Sequence, residues 1–317
     1  MKIFVTGATG FVGSAVVKEL LNEGHEVSGL ARSDASAASL MKIGAKVVRG
    51  DLENLDALRR GASESDGVVH TAFIHGLPQL SNSMKVRLFA GFINGGPVKS
   101  FTRILETTET RAIHAMGSAL VGSGRPLVVT SGILALPQSR ISKETDIHVK
   151  GLMSRAFSEA ATLAFVSQGV KASIVRLSPT VHGPGDHGFV PQLIQAAKKK
   201  NASPYVEDGS NRWTAVNRLD AARLFRLAVE QGMPGAIYHA VDETSIPFRE
   251  IAEFIGKKLN VPAVSIARNQ TAKHFGFLSP FVGLDNPSSS EWTRHSLGWK
   301  PDQSRLFQDL ESAGYFS

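Results

Sequence analysis

The chain contains no cysteine. That absence excludes a disulfide framework, a thiolate zinc site and a cysteine nucleophile, and no metal site is expected. It also makes a reducing compartment, the cytoplasm, the default expectation. No apolar run reaches the roughly 18–20 residues needed to span a bilayer, so no membrane partner is expected. The first apolar stretch, Ile3-Phe4-Val5, is cut short by glycines and does not read as a secretory signal. Tyrosine is scarce: the three are Tyr205, Tyr238 and Tyr315, all far downstream. An acidic excess is missing too, since 35 Lys and Arg against 28 Asp and Glu give a formal net charge of +7. The basic residues are nevertheless scattered. The one dense run, Lys198-Lys199-Lys200, ends an amphipathic helix, where cations favour the C-terminal dipole. A nucleic-acid partner is therefore not expected.

What is present is ordinary globular material, with 42% hydrophobic and 20% charged residues over 317 positions, enough for a substantial core. Lys2–Thr6 reads as an apolar strand, and 11–22 as a helix with Val12, Ala15, Val16 and Leu20 at helical spacing, closed by Gly24. Strands are predicted at His25–Ala31, Ala45–Arg49, Gly67–His70, Leu127–Thr130 and Ala172–Arg176, with helices at Glu53–Gly61, Leu152–Val166 and Glu250–Leu259. Strands alternating with helices predict an α/β protein with a doubly wound parallel Rossmann sheet. The expected organisation is one compact unit: residues 1–176 mainly the sheet core, and 177–317 mainly a smaller lobe with segments returning to the core.

Gly7-Ala8-Thr9-Gly10-Phe11-Val12-Gly13 lies directly between the first strand and the first helix. The first glycine permits a tight turn, the second lets a pyrophosphate approach the backbone, and the third lets helix and strand pack closely. The helix N-terminus then offers N–H groups and a positive dipole end to phosphate. Gly7, Thr9, Gly10, Phe11, Val12 and Gly13 are accordingly candidate cofactor residues.

The tip of the second strand, Leu30-Ala31-Arg32-Ser33, carries no carboxylate to bond a ribose 2′-hydroxyl. Arg32 can pair with a 2′-phosphate and Ser33 can donate to it, which points to NADP(H); the alternative is that Arg32 is simply a surface residue. After the third strand, Asp51 and Leu52 are placed to meet the adenine, while Asp51 is equally suited to cap the helix that follows. After the fourth, Thr71, Ala72 and Phe73 follow His70 and leave room for a ribose against the sheet.

These residues, with Val128-Val129-Thr130-Ser131 and the stretch Arg176-Leu177-Ser178-Pro179-Thr180-Val181-His182-Gly183-Pro184-Gly185, resemble the extended branch of the short-chain dehydrogenase/reductase superfamily, the NAD-dependent epimerase/dehydratase type. The resemblance implies that Pro179 and Val181 lie over the nicotinamide, and that helices of this kind form a homodimer interface. It also implies a catalytic Ser, Tyr and Lys, the Tyr moving a proton as hydride moves. Ser131 matches the serine. Aligning Ser154-Arg155 and Glu159 with the family's Ser-Lys and later Glu puts Arg155 in the lysine's place and Gly151 in the tyrosine's. The catalytic tyrosine is absent. Arg155 can still hold ribose hydroxyls, but it stays charged at any working pH and cannot shuttle protons.

Histidines are the natural replacements, having pKa values near working pH. His75, His182 and His187 each follow the C-terminal end of a predicted strand, the edge where open α/β sheets bind ligands, and each can equally be a hydrogen-bonded loop residue. Ser131 can bond a carbonyl oxygen or merely cap its loop. Asn211, Arg212 and Trp213 belong to a stretch that, by the same resemblance, closes over substrate or cofactor phosphate. Phe73, Leu77, Phe89, Phe92, Leu134 and Trp213 hint at a hydrophobic ligand. Three functions remain open: an NADP(H)-dependent oxidoreductase on a small carbonyl, hydroxyl or imine compound with a substitute proton donor; a redox-neutral isomerase, cyclase or lyase keeping the nucleotide site; and a non-catalytic NADP(H) sensor.

Overall fold

The computed structural model describes residues 1–74, 76, 80–91, 96–149 and 155–316. In chain order its elements begin with β1 (Lys2–Thr6), α1 (Phe11–Asn22), β2 (Glu26–Ala31), α2 (Asp34–Lys42), β3 (Lys46–Arg49), α3 (Leu55–Ser63) and β4 (Gly67–His70). Next come α4 (Asn82–Gly91), α5 (Pro97–Ser118), β5 (Pro126–Gly132), α6 (Ala156–Leu163), β6 (Lys171–Leu177), β7 (Thr180–His182), α7 (Phe189–Lys200) and β8 (Ser203–Val206). The remainder is β9 (Arg212–Asn217), α8 (Arg218–Gln231), β10 (Ile237–Ala240), β11 (Glu243–Pro247), α9 (Phe248–Leu259), β12 (Ala263–Ile266), α10 (Thr271–Phe275), α11 (Glu291–Leu297) and α12 (Leu306–Ser312).

The main sheet has seven strands in the order β10-β6-β5-β4-β1-β2-β3. β1 sits between β2 and β4, and both pairings are parallel. Parallel neighbours need crossover helices on the sheet faces, so such strands are covered on both sides and read as unbroken apolar runs. Ile3, Phe4 and Val5, and Val68 and Val69 beside them, are accordingly fully buried. Strand order reverses between β1 and β4, as in a doubly wound sheet.

Contacts divide the chain into two compact units: Met1–Thr130 with Ala156–Ile174 and Ala228–Ala236, and Ser131–Arg155 with Val175–Leu227 and Ile237–Ser317. The chain thus passes between the units more than once, at places no composition shift marks. The second unit holds a three-stranded sheet, β11-β9-β7, and a two-stranded one, β12-β8. Its core gathers around Trp213, which is fully buried among Val190, Leu193, Ile194, Ile246, Phe248 and Ile251. Phe248 meets the indole edge-on at 5.0 Å between ring centroids.

Several boundaries differ from the sequence reading for local reasons. The helix expected over Glu53–Gly61 begins two residues later, because Asn54, not Asp51, is its N-cap and accepts from the Ala57 N–H. Asp51 instead closes the turn before it, its Oδ1 accepting from the N–H groups of Glu53 and Asn54. The helix expected over Leu152–Val166 is described from Ala156 to Leu163, followed by a short 3₁₀ turn at Val166–Gln168; residues 150–154 lie outside the described residues. Among the described residues no helix is long and apolar enough to cross a membrane, and no group of three or more His, Asp and Glu could hold a metal ion.

Candidate functional site

In the first unit the glycine turn has the shape its sequence requires. Gly7 adopts φ +69°, and a Cβ there would lie 2.6 Å from the Ala72 amide nitrogen. A Cβ on Gly13 would lie 2.0 Å from the Gly7 carbonyl oxygen, so no side chain fits without moving α1 off β1. Thr71 and His70 tighten the same spot. The Thr71 hydroxyl donates to the Thr6 carbonyl at 2.8 Å, and the Thr6 hydroxyl lies 2.6 Å from Nδ1 of the buried His70.

α1 begins at Gly10 with no side-chain cap and no acidic residue in its first turn. Most helices satisfy their leading N–H groups with a Ser, Thr, Asp or Asn cap. α1 presents its positive end behind exposed Thr9 and Gly10 instead. This cradle, which any Cβ would fill, fits a pyrophosphate.

The neighbouring strand tips carry the next candidate residues. Arg32 is exposed at the end of β2. Ser33 caps α2, its Oγ accepting from the Ser36 N–H at 3.2 Å and donating to the Ser36 hydroxyl at 3.0 Å. The two bonds recorded for Asp51 both fall on Oδ1. Leu52 and Phe73 come together against Ile74, Leu80 and Leu105, and Leu52, Phe73, Ile74 and Leu105 sit beside Thr108 and Glu109 with no space for a water between them. The structure therefore brings Gly7 to Gly13, Thr71, Ala72, Phe73 and Leu52 into one region of one unit. His75 lies outside the described residues, as do Leu77, Phe92 and Gly151, and Phe89 is 79% exposed on α4.

In the second unit most of the candidate substrate residues are already engaged. Arg212 forms a two-pronged ion pair with Asp285, Nε to Oδ1 at 2.9 Å and Nη2 to Oδ2 at 2.7 Å. The pair holds the Asp285 carboxyl below the usual carboxylate range and raises the guanidinium. Asn211 donates to the carbonyls of Val282 and Leu284, and Trp213 is wholly within the core. His182 is 1% exposed, with Nδ1 2.6 Å from Asp309 Oδ2, and Asn217 donates to the same oxygen at 2.9 Å. His187 is exposed, its Nδ1 3.4 Å from the Gly185 carbonyl. Pro179, Val181 and Arg155 are half-buried.

Ser131 is buried at the end of β5, and its hydroxyl makes no hydrogen bond among the described residues. The loop after it is firmly held. Buried Arg176 donates to the carbonyls of Glu144 and Asp146, and Arg140 pairs with both Asp146 carboxylate oxygens.

The three tyrosines all lie in the second unit, and each is engaged there. The Tyr315 hydroxyl accepts from the Gly183 N–H at 3.0 Å and donates to Asp186 at 2.9 Å, and burial beside that carboxylate pushes its pKa far above the usual range. Tyr205 lies under Arg249, and Tyr238 is fully buried, stacked on Trp292. Asp285, Asp309 and Tyr315 were not legible from the sequence. Their partners lie 73, 127 and 132 residues away, and no spacing announces such contacts.

A doubly wound sheet with a glycine-rich turn opening an uncapped helix defines a Rossmann dinucleotide-binding protein. The match to known proteins is more specific. Residues 3–240 match the model of the NAD dependent epimerase/dehydratase family, and the chain belongs to that family, within the extended short-chain dehydrogenase/reductase superfamily. It is 45% identical over 317 residues, the whole of both chains, to the uncharacterized protein C2A9.02 of Schizosaccharomyces pombe. It is 24% identical over 283 residues, 87% of this chain and 80% of the other, to a 4-hydroxy-2-methyl-3-oxo-4-farnesyl-3,4-dihydroquinoline-1-oxide ketoreductase of Stigmatella aurantiaca. Among solved structures it resembles the dTDP-glucose 4,6-dehydratase DesIV of Streptomyces venezuelae, solved with NAD and TYD bound. The TM-score there is 0.74 at 20% identity, covering 100% of this chain and 97% of that one.

Proposed function

We propose that the protein is an NADP(H)-dependent reductase of a small hydrophobic carbonyl or imine compound, working without the tyrosine of its superfamily. The observation that carries the substrate class is the Arg212–Asp285 pair. Arg212 is a candidate for contacting substrate or cofactor phosphate, and a carboxylate already fills its fork. A phosphorylated substrate would have to break a two-pronged charge-assisted pair, whereas an uncharged one need not. The compound in the name of the ketoreductase above bears a 3-oxo group, a farnesyl chain and no phosphate, which agrees with this reading.

The cofactor preference rests on Arg32, exposed at the tip of β2 where an NAD site usually carries an acid. Bound NADPH supplies the hydride. Ser131, with its hydroxyl uncommitted, hydrogen-bonds the substrate carbonyl oxygen. By the family resemblance Arg155 would hold the ribose hydroxyls, Pro179 and Val181 would cover the nicotinamide, and His187 would meet the substrate. His182 is taken up by Asp309, so the proton that completes the alcohol comes from His75 or from water.

The test is NADPH oxidation, followed at its nicotinamide absorbance, with a panel of hydrophobic ketones, aldehydes and imines. Net consumption matched by alcohol or amine supports the reading. Product without net consumption identifies a redox-neutral enzyme, and tight NADPH binding without turnover identifies a sensor; either overturns it.

A further inference from the structure

The tip of the nucleotide-side sheet carries a second arginine that the glycine motif and the β2 tip do not announce. β3 runs beside β2 with Ala31 opposite Arg49, so Arg49 stands level with the residue before Arg32 on the adjacent strand. Its side chain is 55% exposed and reaches the first turn of α2, where Nη2 contacts Asp34 Oδ1 at 2.6 Å. That turn also holds Ser33 and Ser36, with the Ser33 hydroxyl capping the helix. Two guanidinium-bearing positions and a helix N-terminus therefore share the edge at which a ribose 2′-substituent would lie.

We infer that Arg49 is a second specificity-determining residue for the 2′-phosphate of NADP(H), and that Asp34 is its resting partner. The inference rests on the NADP(H) reading above and deepens it. The Arg49–Asp34 contact is a single bond from a group with five donors, and its carboxylate is 99% exposed. Exposed pairs of this kind are worth little in water, so Asp34 holds the guanidinium near the α2 N-terminus without consuming it. A phosphate monoester carries about −1.5 to −2 charges at neutral pH and three acceptor oxygens. It outcompetes a single solvated carboxylate for a planar fork of donors. Asp34 and Asp51 are the acidic groups nearest this edge in sequence, and Asp34 opposes the phosphate by its charge even as it positions Arg49. An NADH ribose offers only a neutral hydroxyl in the same place, a far weaker partner for either arginine than a phosphate dianion.

The test titrates full-length wild type, Arg49→Gln, Arg49→Lys and Asp34→Asn with NADPH and with NADH by calorimetry, at low and at moderate salt. The expected result is NADPH affinity about tenfold weaker in R49Q, intermediate in R49K and several-fold tighter in D34N, with NADH affinity the same in all four. The NADPH dependence on salt should be shallower in R49Q. If wild type prefers NADPH and R49Q keeps that preference undiminished, Arg49 has no such role and the cofactor reading stands. If wild type does not prefer NADPH, the cofactor reading fails and takes this inference with it.

Discussion

His182 Nδ1 and Asp309 Oδ2 lie 2.6 Å apart, joining residues 127 positions apart in the chain, and neither side chain is more than 7% exposed. With Asn217 on the same carboxylate oxygen, the pair fastens α12 to the strands β7 and β9. Removing one member of a buried pair leaves the other desolvated and unpaired, which costs about 3–5 kcal/mol. Asp309→Ala should lose that much in urea denaturation, and Asp309→Asn appreciably less because it retains an acceptor for His182.

Trp213 anchors the core of the second unit between Phe189 and Phe248. Trp213→Ala should destabilise by about 3–5 kcal/mol, as large-to-small core substitutions do. Trp213→Phe should recover most of the loss. Equilibrium unfolding in guanidinium measures both.

Asp186 carries a pH signature of its own. Burial raises its carboxyl above the usual range, against the opposing hydrogen bonds from Gly188 and Tyr315. A raised pKa in the folded state means a contribution that is complete below the unfolded value, about 3.9, and is lost as pH rises through the folded one. Wild type should therefore lose stability relative to Asp186→Asn as pH rises from about 4 toward neutrality. Paired denaturation curves across that window read the difference directly. They also cancel the acids whose pKa is lowered, such as Asp285 and Asp146, because both proteins share them.

Gly13 tests the cradle. A Cβ there would stand 2.0 Å from the Gly7 carbonyl oxygen, an overlap that only backbone movement relieves. Gly13→Ala should cost about 1–3 kcal/mol and abolish measurable dinucleotide binding. Thermal melts with and without NADPH separate the two effects, because the cofactor should raise the melting temperature of wild type and leave that of the variant unchanged.

What the sequence revealed is mostly what is local. β1, the glycine turn and α1 follow one another within about twenty residues, and each is dictated by its neighbours: an apolar run, a positive φ, a close helix–strand contact. The start of α3 was a closer contest, because Asp51 and Asn54 are both good capping residues and only their actual bonds decide between them. The commitments of Arg212 to Asp285 and His182 to Asp309 were out of reach, since they depend on how distant segments pack. In isolation an arginine and a histidine near strand ends look the same whether they wait for a ligand or brace a fold.

We propose that the turn at Gly7 to Gly13 serves NADP(H), with Arg32 choosing the phosphorylated cofactor. The most direct measurement is the ratio of NADH to NADPH dissociation constants in wild type and in Arg32→Ala, by calorimetry at one salt concentration. The account predicts a wild-type preference for NADPH that Arg32→Ala reduces by about tenfold or more, with NADH affinity unchanged. Equal affinity of wild type for the two cofactors, or a preference that survives Arg32→Ala intact, would contradict it.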